Sequence, residues 1–304
     1  DDCEIGHLRT STTGRWNSHK LTSRCIALFS SKINDGLCSV DGRSTAQSYN
    51  RLGLKLQNHG NTFADRHDIR IRTYLRENFP LHLQMIQYIR EGDIYIANMT
   101  QRLEVESEKA PLDVFAALRK NNPSPFGGYM DYGDFQIVSA SPERFLKMKK
   151  GHVNTRPIKG TRKRGATSEE DLLMRTELEN SEKDKSELLM IVDLERNDLN
   201  RVCKPGSVKV TELFTVEEYA TVFHLVSDIE GTLKEDKNFV DLMEAAFPGG
   251  SITGAPKYRA MEIIDELEHG KRNLYTGSIG YLTLDGDCDF NIVIRTALHK
   301  DGKY

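Results

Sequence analysis

Apolar residues recur at helical spacing at several places along the chain. Leu81, Met85, Ile86 and Ile89 fall on one face of a helix, and Gly92 is placed to end it. The same periodicity predicts four further helices, over residues 111–120, 168–194, 240–247 and 256–267. The longest of these is charged and is expected to begin at a capping box that pairs Ser168 with Asp171.

Runs of alternating and β-branched residues lie between the predicted helices. They predict strands over residues 93–103, 126–132, 135–139, 144–148, 152–158, 208–214, 220–229, 275–284 and 288–298. The last two form a hairpin across Asp285 and Gly286. Residues 1–78 have only short apolar patches and predict short strands and loops. Clustered strands and separate helices indicate an α+β fold with a large antiparallel sheet system.

Composition narrows the class of protein. The 304 residues are 29% charged and 38% hydrophobic, which is typical of a globular protein, and the net charge of -3 gives no general attraction to nucleic acid. The five cysteines are scattered without a C-x-x-C pair, which argues against a disulfide framework or a zinc site and fits a reducing cytoplasm. No run of 18 apolar residues is present, so no membrane span is expected.

Two short motifs carry candidate catalytic side chains. Lys159 lies between Ile158 and Gly160, where a strand is expected to end, and a partly desolvated lysine can serve as a neutral nucleophile. Glu143 follows Pro142 at the start of a strand, and a carboxyl beside a pocket can act as a general acid when burial raises its pKa. A surface lysine at a turn and a solvated glutamate at a strand end remain the simpler alternatives.

A third candidate lies in the long charged helix. Glu187 follows Lys183 by four residues, so an ordinary helical salt bridge is one interpretation. The apolar run after Glu187 places the segment near a core, where a buried carboxylate needs a partner. Coordination of Mg²⁺ by Glu187, together with waters and substrate, is the alternative interpretation.

The remaining candidates are polar residues near the C-terminal half of the sheet. The glycine-rich segment 247–257, which includes Ser251 and Thr253, suits an anion site before a helix or a purely structural loop. Arg295 stands between apolar residues and needs a partner, either a bound carboxylate or an internal acid. Tyr275 lies in the neighbouring predicted strand, and His224 lies in a β-like run where a satisfied core histidine is the alternative to a functional one.

Together these segments resemble the chorismate-utilising enzyme family. The matching stretches, in the same order, are residues 92–95, 98–102, 141–143, 157–161, 190–199, 247–257 and 294–296. The resemblance covers roughly residues 79–304 and implies an α+β chorismate-binding fold like that of anthranilate synthase component I, with large antiparallel sheets in a sandwich and outer helices.

The resemblance also implies a reaction, because family members that aminate chorismate carry lysine at the position of Lys159. In that mechanism Lys159 attacks ring carbon 2, Glu143 protonates the departing carbon 4 hydroxyl, and ammonia replaces the lysine to give 4-amino-4-deoxychorismate. Ammonia comes from a glutamine amidotransferase subunit. The family likeness assigns Mg²⁺ to Glu187, and assigns substrate contacts to His224, Ser251, Thr253, Tyr275 and Arg295.

Some features depart from the family pattern. Ile96 stands where the family usually has glutamine or lysine. A lysine there activates water in isochorismate-forming members, so Ile96 argues against water as the nucleophile. Residues 1–78 are expected to be a partial or divergent N-terminal segment, and the catalytic domain of residues 79–304 is expected to be truncated at its C-terminus. Anthranilate synthase component I and an inactive chorismate-binding fragment therefore remain alternatives.

Overall fold

The structure is a computed structural model that describes residues 24–29, 39–40, 81, 83–100, 102–268 and 270–304. None of the helices in these ranges combines the length and the apolar character that crossing a membrane requires. Six helices lie in the described ranges: α1 (83–91), α2 (Pro111–Asn121), α3 (Ser168–Glu179), α4 (Glu182–Val202), α5 (Phe239–Ala246) and α6 (Lys257–Leu267).

The long helix predicted from Ser168 is divided into α3 and α4. Thr167, not Ser168, is the N-cap of α3, because its side chain accepts a hydrogen bond from the Glu170 backbone N–H. A second cap explains the division: α3 ends at Asn180, and the Ser181 side chain accepts from the Asp184 N–H to start α4. A serine inside a charged helical pattern is thus a helix start here, as its preference for N-cap positions would suggest.

All strand pairs among the described residues are antiparallel, and most belong to one large sheet. The strands are β1 (Arg24–Phe29), β2 (Ser39–Val40), β3 (Ile96–Asn98), β4 (Phe126–Asp131), β5 (Gln136–Ser141), β6 (Arg144–Lys149), β7 (His152–Arg156), β8 (Ile158–Lys163), β9 (Lys209–Glu218), β10 (Val222–Thr232), β11 (Gly254–Ala255), β12 (Ser278–Thr283), β13 (Cys288–Asn291) and β14 (Thr296–His299). The large sheet has the order β1-β12-β13-β6-β7-β10-β8, with β9 also paired to β10. Two three-stranded sheets, β11-β3-β2 and β14-β5-β4, complete the architecture, so the predicted α+β class is confirmed.

Two strands from residues 1–78 are part of these sheets. The six residues of β1 pair in register with β12, and β2 pairs with β3. Backbone hydrogen bonding therefore joins this segment to strands of residues 79–304. The other predictions for residues 1–78 lie outside the described residues.

Two hydrophobic clusters hold the elements together. The larger one lies between the main sheet and α4 and α5, and its fully buried members include Leu188, Leu225 and Phe290. The smaller cluster packs α1 against α6 around Met85 and Ile264. Apolar burial is the main stabilising term in both, and together they fix the sheet edges and loops that surround the site described below.

Several strand predictions were too long, among them 152–158, which Pro157 divides into β7 and β8. Two differ most from the structure. The stretch predicted over 93–103 contains only β3, because its backbone leaves the sheet after Asn98. The stretch predicted over 288–298 divides into β13 in the large sheet and β14 in a small one. Arg295, with φ of 49°, lies between them, and this left-handed conformation turns the chain from one sheet to the other.

Candidate active site

A cavity of about 310 Å³ opens where the ends of several strands meet two loops. It is lined by Asn98, Met99, Thr100, Pro142, Glu143, Ile158, Lys159, Thr161, His224, Ser251, Ile252, Tyr275, Thr276, Ile294 and Arg295. Polar and charged groups from seven separate parts of the chain therefore converge on one concave space of the size that small ligands occupy.

Lys159 reaches this cavity from β8. The next residue, Gly160, has φ of +79°, and a Cβ there would lie 2.9 Å from atoms of Asp184 and Leu178. Glycine is therefore required for the backbone to pass this close to α4. The half-buried Lys159 amine donates a hydrogen bond to the Ser251 carbonyl oxygen at 3.0 Å, so it lies across the cavity wall and not along the outer surface.

Glu143 lies in the turn between β5 and β6 and is only 4% exposed. The turn is fixed because the Ser141 hydroxyl donates to the Ile292 carbonyl at 2.5 Å, and the Ile292 N–H donates to the Glu143 carbonyl at 3.0 Å. Burial raises the pKa of the Glu143 carboxyl, while neighbouring Ser251, Lys159 and Arg295 oppose the rise. A buried carboxyl of this kind is suited to donate a proton.

His224 lies on β10 and faces Thr161 of the paired strand β8, with 2.9 Å between Thr161 Oγ1 and His224 Nδ1. Burial, and then the positive charge of Arg295, lower the pKa of His224 to about 4. The imidazole is therefore neutral near neutral pH, and it can offer or accept one hydrogen bond without adding a charge to the cavity.

The Arg295 guanidinium and the Ser251 hydroxyl are polar groups at the cavity that a ligand could bind. Among the described residues, no carboxylate forms an ion pair with the Arg295 guanidinium, although an arginine fork matches a carboxylate well. The Ser251 hydroxyl oxygen is buried without a partner in hydrogen-bond geometry, although it lies near Glu143. Unsatisfied buried polar atoms are rare and at a cavity are suited to a ligand. Tyr275 lies beside them and is 37% exposed.

The cavity thus brings together six of the eight residues predicted to form the site: Glu143, Lys159, His224, Ser251, Tyr275 and Arg295. Thr253 and Glu187 are not among its lining residues. Thr253 is fully buried behind the wall, where its hydroxyl donates to the Gly249 carbonyl at 2.9 Å.

Glu187 lies on α4 at 3.4 Å from Lys183, the helical ion pair that was its simpler interpretation. In the part of the chain that the structure describes, no three His, Cys, Asp or Glu side chains are grouped to hold a metal ion. The described residues therefore form no site in which three such side chains alone would hold Mg²⁺. A single carboxylate such as Glu187 would need substrate oxygens and waters to complete the coordination.

Glu195 is a buried carboxyl that the sequence analysis did not select. The Thr155 hydroxyl lies 2.7 Å from the Phe145 carbonyl and 2.9 Å from Glu195 Oε2. The hydroxyl has one proton for these two acceptors, so its hydrogen bond to Glu195 is shared with the carbonyl. Burial, and then neighbouring Glu143, raise the pKa of Glu195 to about 8, with Asp198 adding to the rise and the Thr155 hydrogen bond opposing it.

This protonation state predicts how stability changes with pH. Unfolded Glu195 loses its proton near its ordinary pKa of 4.5, whereas folded Glu195 keeps it to about 8, so the wild type loses stability between these values as pH rises. Glu195→Gln removes the titrating proton and keeps the shape of the side chain and an oxygen that can accept from Thr155. The free energy of unfolding of the variant minus that of the wild type should therefore increase from pH 5 to pH 8, on the order of 2–4 kcal/mol.

Denaturant titrations at several pH values measure this difference. Glu182→Gln, at an exposed position on the same helix, is the matched control and should give a difference that changes little with pH. A difference for Glu195→Gln that is equally flat would show that Glu195 is ionised in the folded protein.

The family model described as chorismate binding enzyme matches residues 81–304. Over 221 residues the chain is 48% identical to anthranilate synthase component 1 of Acetivibrio thermocellus, covering 73% of this chain and 45% of that protein. It is also 48% identical over 217 residues to aminodeoxychorismate synthase component 1 of Bacillus subtilis, covering 71% of this chain and 46% of that protein.

Among solved structures, anthranilate synthase component I from Streptococcus pneumoniae aligns with a TM-score of 0.66 and 32% identity. That alignment covers 87% of this chain and 60% of the other. The chain spans about half the length of the curated relatives it matches. The family match extends over the whole cavity, since every lining residue lies within residues 81–304. This chain belongs to the chorismate binding enzyme family.

Proposed function

We propose that this chain carries the site for amination of chorismate to 4-amino-4-deoxychorismate, with Lys159 as a covalent nucleophile. The observation that carries the proposal is the presence of the Lys159 amine and the buried Glu143 carboxyl in one cavity. The two groups supply the nucleophile and the acid that displacement of a hydroxyl requires, because hydroxide itself is a poor leaving group.

The first step forms a covalent intermediate. The free amine of Lys159 attacks ring carbon 2, the ring electrons shift, and the bond from carbon 4 to oxygen breaks. Glu143 gives its proton to the departing oxygen, which leaves as water. The raised pKa of Glu143 supports this role, because it favours the protonated form before the reaction.

The second step returns the enzyme to its starting state. Ammonia attacks carbon 4, the electrons shift back, and the bond between carbon 2 and the Lys159 nitrogen breaks, so that the lysine leaves as a neutral amine. The new ammonium on carbon 4 then gives one proton to the Glu143 carboxylate, which restores the acid. The net change replaces a hydroxyl by an amine and releases water, so neither an oxidant nor a reductant is needed. Arg295 would hold one substrate carboxylate with help from Tyr275, and the neutral His224 would contact the leaving hydroxyl.

Anthranilate synthesis is the second candidate, because one relative of equal identity has that name. In that reaction ammonia itself attacks carbon 2, which needs space on the face of the ring where we place the Lys159 amine. The Lys159 amine lines this cavity, where it would compete with free ammonia for carbon 2, and this favours amination at carbon 4.

A product assay separates the candidates. Chorismate, ammonium and Mg²⁺ are incubated with the chain, and the expected product is 4-amino-4-deoxychorismate without pyruvate. Anthranilate with an equal amount of pyruvate would instead assign the second candidate. Chorismate binding without any product would support a binding fragment.

An ammonia-supplying partner and a metal ion are further parts of the proposal. The name component 1 in the relatives implies a second component in those enzymes, and a glutamine amidotransferase subunit is the partner we propose for this chain. We also propose that Glu187 contributes to Mg²⁺ binding once substrate carboxylate and waters complete the coordination. Titration of chorismate binding with Mg²⁺ should show tighter binding in the wild type and a reduced effect in Glu187→Gln, and equal curves would remove Glu187 from that role.

A further inference from the structure

Arg272 connects three separate segments of the cavity wall. Its guanidinium donates to the Asn98 carbonyl at 2.8 Å, to the Ile252 carbonyl at 3.3 Å and to the Thr276 hydroxyl at 3.4 Å. Asn98, Ile252 and Thr276 all line the cavity, whereas Arg272 lies behind them and its side chain is only 6% exposed. A planar fork with five N–H donors can hold several acceptors at fixed angles at once.

Glu268 completes this arrangement from the end of α6. Its carboxylate accepts from Arg272 Nε at 2.9 Å and from Nη2 at 3.0 Å, so the pair is bidentate. The same carboxylate accepts from both the backbone N–H and the hydroxyl of Thr100, each at 2.9 Å. Glu268 thus neutralises the buried guanidinium and attaches a fourth lining residue, and hydrogen bonds of this number are what a buried ion pair requires.

The contacts lead from Arg272 to the Lys159 amine. Lys159 donates to the Ser251 carbonyl at 3.0 Å, and the Asn98 side-chain amide donates to the same oxygen at 3.1 Å. Asn98 is held by Arg272 through its own carbonyl, and so is Ile252, the residue after Ser251. The acceptor of the Lys159 amine is therefore fixed from both sides by groups that Arg272 binds.

We propose that Arg272 and Glu268 are positioning residues that set the location of the Lys159 amine through the Ser251 carbonyl. Neither residue lines the cavity or touches the reacting groups. The apolar cluster between α1 and α6 supports this region independently of the ion pair. The Arg272–Glu268 ion pair therefore fixes the geometry of the cavity wall. Its loss should change the position of the Lys159 amine while the protein stays folded.

Arg272→Lys tests the proposal, because an ammonium keeps the charge but cannot reach three acceptors in a fixed plane. The Lys159 amine should then be held less firmly and react faster with a small acylating reagent. A rise of about threefold to tenfold is expected, since one hydrogen bond contributes about that factor. Brief labelling with acetic anhydride, followed by peptide mass spectrometry, measures the rate at Lys159 against the exposed Lys120 in the same sample.

Arg259→Lys is the matched control, because Arg259 also lies on this side of the molecule but pairs with Asp93 and Glu262 outside the cavity. Its Lys159 labelling rate should equal that of the wild type. Circular dichroism and thermal unfolding establish that each variant is folded. A folded Arg272→Lys protein labelled at the wild-type rate would overturn the proposal.

If Arg272→Lys does not fold, Glu268→Gln decides the question, because it preserves shape and removes the charge that orients the guanidinium. It should raise Lys159 labelling in the same direction, and an unchanged rate in folded protein would overturn the proposal. The consequence for turnover rests on the proposed function, but labelling needs no chorismate. Failure of the positioning proposal for Arg272 and Glu268 can therefore be distinguished from failure of the proposed amination.

Discussion

Lys159→Ala is expected to lower the rate of chorismate amination by on the order of 10³-fold or more, because it removes the group that forms the covalent intermediate. The location of the amine and its hydrogen bond support a large effect. The amine lines the same cavity as the buried Glu143, and its hydrogen bond to the Ser251 carbonyl holds it within the wall. A free ammonia molecule would have to replace an amine that the protein positions in advance.

The rate is measured as 4-amino-4-deoxychorismate formed at low ammonium concentration, with chorismate binding and thermal unfolding measured in parallel. Lys163→Ala is the matched control, because Lys163 is an exposed lysine of the same strand that does not line the cavity. It should keep nearly full activity. Mass spectrometry of the wild type incubated with chorismate and without ammonium should detect an adduct on Lys159. A Lys159→Ala protein with wild-type turnover would remove the lysine from the nucleophile role.

The sequence predicted most of this site because short motifs fix local geometry. Gly160 follows Lys159 and has a φ of +79°, as its freedom would suggest. The strand end expected at Lys159 lies earlier, because β7 ends at Arg156 and Lys159 is already within β8. The Glu143 motif likewise predicted a turn before a strand. Local backbone chemistry of this kind can be interpreted from a few neighbouring residues. It does not reveal which distant segments meet, and in this chain the family likeness supplied that information.

The sequence did not predict contacts between residues that are far apart along the chain. Glu195 follows Leu188 and Ile191 on the buried face of α4, so helical spacing alone could have marked it as an inward-facing carboxyl. The apolar run in this helix did predict an inward carboxylate, but Glu187, the residue expected there, lies beside Lys183. Arg272 gave no such signal, because its acceptors are backbone carbonyls far away in the sequence, and periodicity carries no information on them.

The change between β13 and β14 was missed for a different reason. Alternating apolar residues continue through residues 288–298 without a glycine or proline, so the pattern predicts one strand. The structure turns at Arg295, a residue type for which a positive φ is unfavourable. The hydrogen bond from the Ala140 N–H to the Arg295 carbonyl holds the turn in place. Strained residues of this kind often lie at functional sites, and Arg295 lines the cavity.

Glu143→Gln should slow amination by about 10²- to 10⁴-fold, the range that a general acid contributes. Glutamine matches glutamate in shape, but it has no acidic proton to give to the departing hydroxyl. It does not change the turn that Ser141 and Ile292 fix by hydrogen bonds at 2.5 and 3.0 Å. The variant should therefore bind chorismate within about threefold of the wild type while its turnover falls, because an acid acts only in the transition state.

The pH dependence gives this prediction a second measurement. Burial raises the pKa of Glu143, so the acid form persists above the usual range, and wild-type turnover should fall as pH rises through that raised pKa. The residual rate of Glu143→Gln should lack this decline. Glu235→Gln, at an exposed position that pairs with Lys204, should leave both rate and pH profile unchanged.

Since the ammonia fraction rises with pH, the profile is best measured on Lys159 adduct formation without ammonium. If Glu143→Gln forms the adduct at the wild-type rate, the proton comes from another group, and the acid role of Glu143 is rejected even if Lys159 remains the nucleophile.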